Sequence, residues 1–247
     1  MKLSVVVPCY NEESTIREIL HRVEASPLDI IEVIVIDDNS TDGTRETLLR
    51  EFQRPPFRLI MHRENKGKGA ALRSGFKCAN GDVVVIQDAD LEYDPGDYGN
   101  LLKPILEGET EVAYGSRFKN PNNHTRSLSF CYLVNSMLTR LSNIVSATKL
   151  TDMETCMKML TKRTLDQITI EEDGFGVEPE ITAKIARLNL PIREVGISYH
   201  RRTHKQGKKI GWKDGIETLW CIFKYNLCPS RGKVKHEVLR ESSNRGE

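Results

Sequence analysis

Asp88, Asp90 and Glu92 stand close together in "QDADLEY", directly behind the β-branched run "VVVI". Two carboxylates this near repel one another unless a proton or a cation lies between them. Along an extended chain, alternation sends Asp88 and Asp90 to one side, and Glu92 continues the same parity. Oxygen ligands of this sort suit Mg²⁺ or Mn²⁺, and Mg²⁺ is commonly shared between a few carboxylates and substrate phosphates. A lone D-x-D is more often a solvated loop that ends a strand, so the context has to decide.

That context is a set of polar clusters behind other apolar runs. "VVVPCYNEE" places Pro8, Tyr10, Asn11 and Glu12 at the exit of a first strand, where an aromatic can stack on a base and a carboxylate can accept from base or sugar. "VIDDNSTDGT" ends a second run in Asp37 and Asp38, and its turn then caps a helix. One acid suffices for a cap; a pair points to recognition of amide N–H groups or ribose hydroxyls. "RENKGKGAALRSG" sets Lys66, Gly67, Lys68 and Gly69 at a helix start, a position that attracts phosphate. It lacks the G-x-x-x-x-G-K-[ST] spacing of a Walker A loop, and a plain helix start is the simpler reading.

The opposite charge is concentrated near the other end. Arg201, Arg202, Lys205, Lys208, Lys209 and Lys213 follow one another without an intervening acid. Alone, such a run is usually a solvated loop. Paired with an acidic metal cluster, it is what a diphosphate ester needs: the metal neutralises one side, Arg and Lys the other, and the diphosphate becomes a better leaving group.

The elements that must carry these groups alternate. Strands are expected at residues 3–7, 30–36, 57–62, 81–86 and 111–116, with helical patterns between them, and a further strand within "LPIREVGISY". Asn11 is a plausible cap for a helix with Ile16, Ile19, Leu20 and Val23 on its apolar stripe. Such a βαβα pattern predicts an α/β fold with a mainly parallel sheet flanked by helices. Ligands then bind outside the carboxyl ends of the strands, where all four polar clusters would meet. Beyond residue 116 the alternation weakens. A stripe of Phe130, Leu133, Val134, Met137, Leu138, Leu141, Ile144 and Val145 marks one helix, and "IETLWCIFKY" a second. "TDMETCMKMLTKRTLDQI" is mixed. Residues 1–228 read as one domain and 229–247 as a flexible tail.

A chain of 247 residues is long enough for one sizeable core, and a net charge of +1 argues against general nucleic-acid binding. Six scattered cysteines without C-x-x-C spacing read as thiols in a reducing compartment. The N-terminal apolar stretch is too short for a signal peptide, and no run approaches the ~18 apolar residues of a membrane-spanning helix. The expected location is cytoplasmic and, if a membrane is involved, peripheral.

Taken in order, "VVPCYNEE", "VIDDNSTDGT", "NKGKGAAL", "QDADLEY", "GSRF", "TDMETCMK", "FGVEPEI" and "SYHRRTHKQGKKIGWKDG" resemble the family 2 glycosyltransferases of the GT-A, Rossmann-like fold. The similarity is greatest to the polyprenyl-phosphate hexosyltransferases, the dolichyl- and undecaprenyl-phosphate mannose and glucose synthases. The resemblance implies that Pro8, Tyr10, Glu12 and Asp38 hold the nucleotide, with Lys68 near the donor, and that Asp88, Asp90 and Glu92 bind Mg²⁺ or Mn²⁺. It also implies that Arg117 meets the acceptor phosphate or the sugar diphosphate, and that Arg202 with Lys208 or Lys209 clamps the diphosphate. Asp90, Arg117 and Arg202 would then be the residues of catalysis.

The implied reaction moves a hexose from a nucleotide sugar, GDP-mannose or UDP-glucose, to polyprenyl phosphate with inversion. An anionic acceptor needs no general base. A hydroxyl acceptor would need one, and Glu178 and Glu180 in "FGVEPE" are the candidates, their plainer role being acids at a helix start. The alternatives are a family 2 transferase acting on a hydroxyl of a glycan, and a nucleotide-sugar-binding protein without turnover. A Rossmann dehydrogenase is disfavoured because no G-x-G-x-x-G follows the first strand. A lipid acceptor further implies a membrane surface or a membrane-protein partner.

Overall fold

The computed structural model describes residues 1–121, 130–202 and 212–227. Its seven strands are β1 (Leu3–Cys9), β2 (Ile30–Asp37), β3 (Phe57–Met61), β4 (Val83–Ile86), β5 (Val112–Ser116), β6 (Lys158–Thr161) and β7 (Ile192–Gly196). The helices are α1 (Ile16–Glu24), α2 (Thr44–Glu51), α3 (Lys68–Cys78), α4 (Tyr98–Leu106), α5 (Phe130–Ser146), α6 (Lys162–Leu165), α7 (Val177–Arg187) and α8 (Trp212–Leu227). The strands form one sheet in the order β3-β2-β1-β4-β6-β5-β7. Every pairing is parallel except the two made by β6, which runs antiparallel between β4 and β5.

Helices on both faces of a parallel sheet bury both sides of its strands, so such strands read as continuous apolar runs rather than alternating ones. β1 and β4 are buried along their whole length, and Val5, Val6, Val85 and Ile86 are inaccessible to solvent. The expected α/β architecture is present, with the six foreseen strands in place to within a few residues. β6 is the strand that its sequence did not announce. At four residues it is too short for a periodic signal, and its first residue, Lys158, is a fully buried charge.

One expectation is corrected, and two apolar stripes are only partly buried. Asn11 does not cap α1: the helix starts at Ile16 behind Thr15, while Asn11 adopts a left-handed φ of 49° and bonds to Thr41 across the loop. The stripe on α5 is only half buried. Leu138 lies in the core with Val134, Leu141 and Val145 packed against it, but Leu133, Met137 and Ile144 are exposed, Ile144 by 78%. On α8 the core-facing residues are Thr218, Cys221, Ile222 and Tyr225, leaving Ile216 and Trp220 exposed, the latter by 66%. Among the described residues no helix is long and apolar enough to cross a membrane, and Cys9, Cys78, Cys156 and Cys221 carry no disulfide. The predicted tail, 229–247, lies outside the described residues, as do Lys208 and Lys209.

Candidate active site

β2 and β3 lie to one side of β1 and β4 to the other, so the strand order reverses between β1 and β4. A crevice at that reversal, beyond the carboxyl ends, is where open α/β sheets bind ligands. Glu12 follows β1 and Asp88–Glu92 follow β4. Between the two chain ends lies Arg202. Its Nη1 donates to Glu12 Oε2 at 2.9 Å, and its Nη2 donates to Glu12 Oε1 and to Asp90 Oδ2, both at 3.1 Å. Thr15 Oγ1 orients the Glu12 carboxylate from behind at 2.8 Å.

Arg202 reaches this point because the segment that follows β7 is zipped along the acidic loop. Ser198 N donates to Asp97, Tyr199 pairs with Tyr93 as an isolated bridge, His200 N donates to the Glu92 carbonyl and Arg202 N to Glu92 Oε1. Gln87 holds the loop from the core side, accepting from the Tyr98 hydroxyl and donating to the carbonyls of Asp88 and Tyr93. Leu91 takes a left-handed φ of 63°, a conformation that costs a non-glycine residue free energy and is sustained here by the packing of its side chain on the core.

That turn overrides the parity argument for Glu92. Its Oε1 accepts from Arg202 N and its Oε2 from the Tyr199 hydroxyl. Asp88 is also taken up, its carboxylate meeting Lys68 Nζ at 3.0 Å. Among the described residues no three acidic, His or Cys side chains converge as a metal cage. Each of the three acids expected to bind a metal is thus engaged by a neighbour: Asp88 by Lys68, Asp90 by Arg202, and Glu92 by the Arg202 amide and the Tyr199 hydroxyl. Asp90 stands out by its electrostatics. Burial, reinforced by the charges of Asp88 and Glu92 and opposed by Arg202, pushes its carboxyl up to about 7. Negative charge in excess of its local compensation, on an oxygen ligand at a crevice, fits a divalent cation held by Asp90 together with oxygens of a bound diphosphate.

A second set of charges lies beside the first. Lys68 also meets Glu178 Oε1 at 3.1 Å, and the buried Lys158 ammonium donates to Glu178 Oε2, under the ring of Tyr114. Glu178 therefore stands between two lysines. Arg117, after β5, forms a two-pronged pair with the buried Asp152, Nε to Oδ2 at 2.7 Å and Nη2 to Oδ1 at 2.6 Å, and the Tyr199 ring packs against its guanidinium.

The glycosyl transferase family 2 profile matches residues 4–169. The chain belongs to that family. It is 36% identical over 119 residues to a dolichol-phosphate mannosyltransferase of Pyrococcus furiosus, an alignment covering 48% of this chain and 34% of the relative. Against an undecaprenyl-phosphate 4-deoxy-4-formamido-L-arabinose transferase of Photorhabdus laumondii subsp. laumondii it is 31% identical, covering 56% and 44%. Over a longer alignment, 79% of this chain and 86% of the relative, it is 26% identical to a UDP-N-acetylglucosamine–dolichyl-phosphate N-acetylglucosaminyltransferase of Methanococcus voltae. The chain thus spans less than half the length of the first two relatives. In fold it is similar to glucosyl-3-phosphoglycerate synthase of Mycobacterium tuberculosis, solved with Mn²⁺ and UDP, with a TM-score of 0.68 at 21% identity over 94% of this chain and 82% of that one. The architecture is that of the GT-A glycosyltransferases.

Within this family 2 domain the remaining expectations fall out as follows. Pro8 lies in β1, and Tyr10 stands half-buried just beyond its end. Asp38 is buried, and its carboxylate accepts from the amides of Lys66 and Gly67 and from His62 Nδ1. It acts on the loop that leads to α3. Asp37 pairs with Arg45. The α3 start is not an open phosphate cradle: the amides of Gly69 and Ala70 donate to the Asp173 carbonyl. A Cβ on Gly69 would come within 2.2 Å of the Glu172 carbonyl oxygen, so close packing is what the glycine serves. Glu180 is fully buried, accepting from the amides of Glu171 and Glu172 and from Lys184. Sequence reasoning assigned no role to Asp152, Glu154, Lys158, Gln87 or Tyr199. All five stood in quoted motifs, but their pairings did not show, and Lys158 and Gln87 looked like ordinary polar residues beside apolar runs.

Proposed function

We propose that the chain transfers a hexose from a nucleotide sugar to a polyprenyl phosphate, with inversion at the anomeric carbon. The observation that carries this reading is the coupling of two charge sets at the strand-order reversal: Asp90 and Glu12 tied by Arg202, and Glu178 held between Lys68 and Lys158. The first set is suited to a donor diphosphate. Asp90 would hold Mg²⁺ or Mn²⁺, and the cation, when bound, neutralises charge on the departing diphosphate. In this reading Arg202 exchanges Glu12 and Asp90 for the diphosphate and stabilises it as the leaving group.

The second set bears on the acceptor. Both oxygens of Glu178 face ammonium groups, and both of Glu180 are committed to its own loop. Neither is arranged to take a proton from a hydroxyl, which favours an acceptor that arrives already anionic. Arg117, fixed by Asp152, is a rigid cation for that anion. Relatives named for dolichyl and undecaprenyl phosphate support the lipid. The exposed apolar residues of α5 and α8, Leu133, Met137, Ile144, Ile216 and Trp220, suit the surface of a membrane on its cytoplasmic side or a membrane-protein partner.

The test is transfer of radiolabelled sugar from a panel of GDP- and UDP-sugars into polyprenyl phosphate with Mg²⁺ or Mn²⁺. Label entering the lipid phase from one donor, and blocked by EDTA, is the expected result. Label passing instead to a glycan hydroxyl would overturn the lipid acceptor, and no donor binding at all would overturn the transferase reading.

A further inference from the structure

Four buried side-chain polar atoms among the described residues lack a hydrogen-bond partner: Glu154 Oε1, Thr155 Oγ1, Glu178 Oε1 and Arg202 Nε. Native proteins leave few such atoms, and each calls for an explanation. Here Glu178 and Arg202 already belong to the site described above. Glu178 Oε1 has Lys68 Nζ at 3.1 Å, off line for a hydrogen bond. Glu154 and Thr155 are adjacent in the chain and have no role in donor or acceptor binding as set out so far.

Their neighbours in the loop between α5 and β6 are anchored almost residue by residue. The amides of Thr151 and Asp152 donate to Glu194, and the Met153 amide donates to Thr139 Oγ1. The carbonyls of Met153 and Thr155, on either side of Glu154, both accept from Lys158 Nζ, and the Cys156 amide donates to the Tyr93 hydroxyl. The loop is therefore curled around the Lys158 ammonium, and the two side chains left without partners are held rigidly. Glu154 is half-buried, with Oε1 turned inward.

The loop also spans the interval between the two ends of the proposed reaction. Asp152 clasps Arg117 on the acceptor side. Cys156 lies near Asp88; burial, reinforced by that charge, pushes its thiol up, and Lys158 reaches Glu178 and so Lys68 on the donor side. The group that must lie between a donor diphosphate and an attacking anion is the sugar being transferred. A carboxylate oxygen with no donor, followed in the chain by a buried hydroxyl with no partner, complements a sugar, whose hydroxyls both donate and accept. We propose that Glu154, with Thr155 beside it, recognises hydroxyls of the transferred hexose and so selects the sugar. This rests on the transferase reading above.

The test is binding of UDP, GDP, UDP-glucose and GDP-mannose, each with Mn²⁺, to the full chain by calorimetry, for wild type, E154Q, E154L and T155V. Loss of a hydrogen bond to a charged group weakens binding roughly 10- to 100-fold. That loss is expected in E154L for the preferred nucleotide sugar alone, with its bare nucleotide bound as by wild type. E154Q, which keeps an acceptor oxygen, is expected to fall between the two, and T155V to lose less than E154L. Monodeoxy donors should identify the hydroxyl: the right one costs wild type the same factor and costs E154L nothing further. Equal binding of the nucleotide sugar by E154L and wild type overturns the proposal, as does equal weakening toward sugar and bare nucleotide. If wild type binds neither nucleotide, the donor reading itself fails and this inference with it.

Discussion

Lys158→Met is the sharpest test of how the site is held. The wild-type side chain is fully buried, and its ammonium donates to Glu178 Oε2 and to the carbonyls of Met153 and Thr155, with the Tyr114 ring 4.9 Å away. Methionine fills most of the same volume, so the cavity term is small and the loss is electrostatic. Removing one partner of a buried ion pair costs about 3–5 kcal/mol, because the other charge is left uncompensated. Glu178 keeps Lys68 at 3.1 Å, which sets the expectation near the lower end, about 3 kcal/mol. For a chain of this size, about 2–4 °C per kcal/mol converts that to a fall in Tm of roughly 6–12 °C. Urea unfolding of the single variants Lys158→Met and Glu178→Gln and of the double variant completes a cycle. The double variant, with neither charge, should be clearly more stable than the sum of the single losses predicts. A loss below about 1 kcal/mol for Lys158→Met, or additive losses in the cycle, would refute the claim that this pair pins the loop.

Three further outcomes are expected. Burial and the charge of Glu178 raise the Glu154 carboxyl to about 7, opposed by Lys158 and Arg117, so the folded protein holds this proton more tightly than the unfolded chain. Stability from this source is therefore lost as pH rises from the ordinary carboxylate range through about 7, and Glu154→Gln should be more stable than wild type at pH 8 by about 1–3 kcal/mol, with the gap closing toward pH 4, as urea titrations at several pH values would show. Glu180→Gln should cost about 2 kcal/mol of stability through its bonds to the amides of Glu171 and Glu172, yet leave kcat in the radiolabel assay within a few-fold of wild type; a large kcat loss with normal stability would mark Glu180 as a base after all. Asp90→Asn should lower transfer by roughly 100-fold or more and abolish the Mn²⁺ dependence of nucleotide binding, while leaving thermal stability unharmed, since it relieves the crowding with Asp88 and Glu92.

The sheet was legible because parallel strands covered on both faces must be apolar throughout, and five such runs stood out between helical stripes. The position of the site followed, since polar residues gathered at strand exits have one meeting place in such a sheet. Which atoms pair was far less legible. Alternation put Asp88, Asp90 and Glu92 on one side of the chain, and nothing in "DADLEY" reveals that Leu91 turns left-handed. Asp38 was expected to meet amide N–H groups or ribose hydroxyls; the amides it binds are those of Lys66 and Gly67, nearly thirty residues along the chain, which no local pattern identifies. Lys158 gave no signal at all: a lysine at the head of a short apolar segment reads as a surface residue until a glutamate twenty residues on is found opposite it. These are long-range pairings, which local pattern does not encode.

The distribution of these pairings also bears on the choice of acceptor. If the site were built to deprotonate a hydroxyl, one carboxylate near Arg117 should present an oxygen to the crevice with no cation against it. Glu178 has a lysine on each side, Asp152 is spent on Arg117, and Glu180 is turned into its own loop. Glu154 is the exception, with a buried oxygen that nothing satisfies and a carboxyl raised to about 7, the range in which a general base works. Sugar recognition and proton abstraction at Glu154 therefore make opposite predictions for Glu154→Gln. As a recognition group its loss falls on the binding of the donor sugar, and activity on a phosphate acceptor persists at saturating donor. As a base its loss falls on kcat with donor binding intact, and only for a hydroxyl acceptor. Arg117 is clasped by Asp152 of the loop that carries Glu154, and Lys68 pairs with Glu178, which Lys158 ties to the same loop. A site so furnished is better matched to an anion that needs positioning than to a hydroxyl that needs activation.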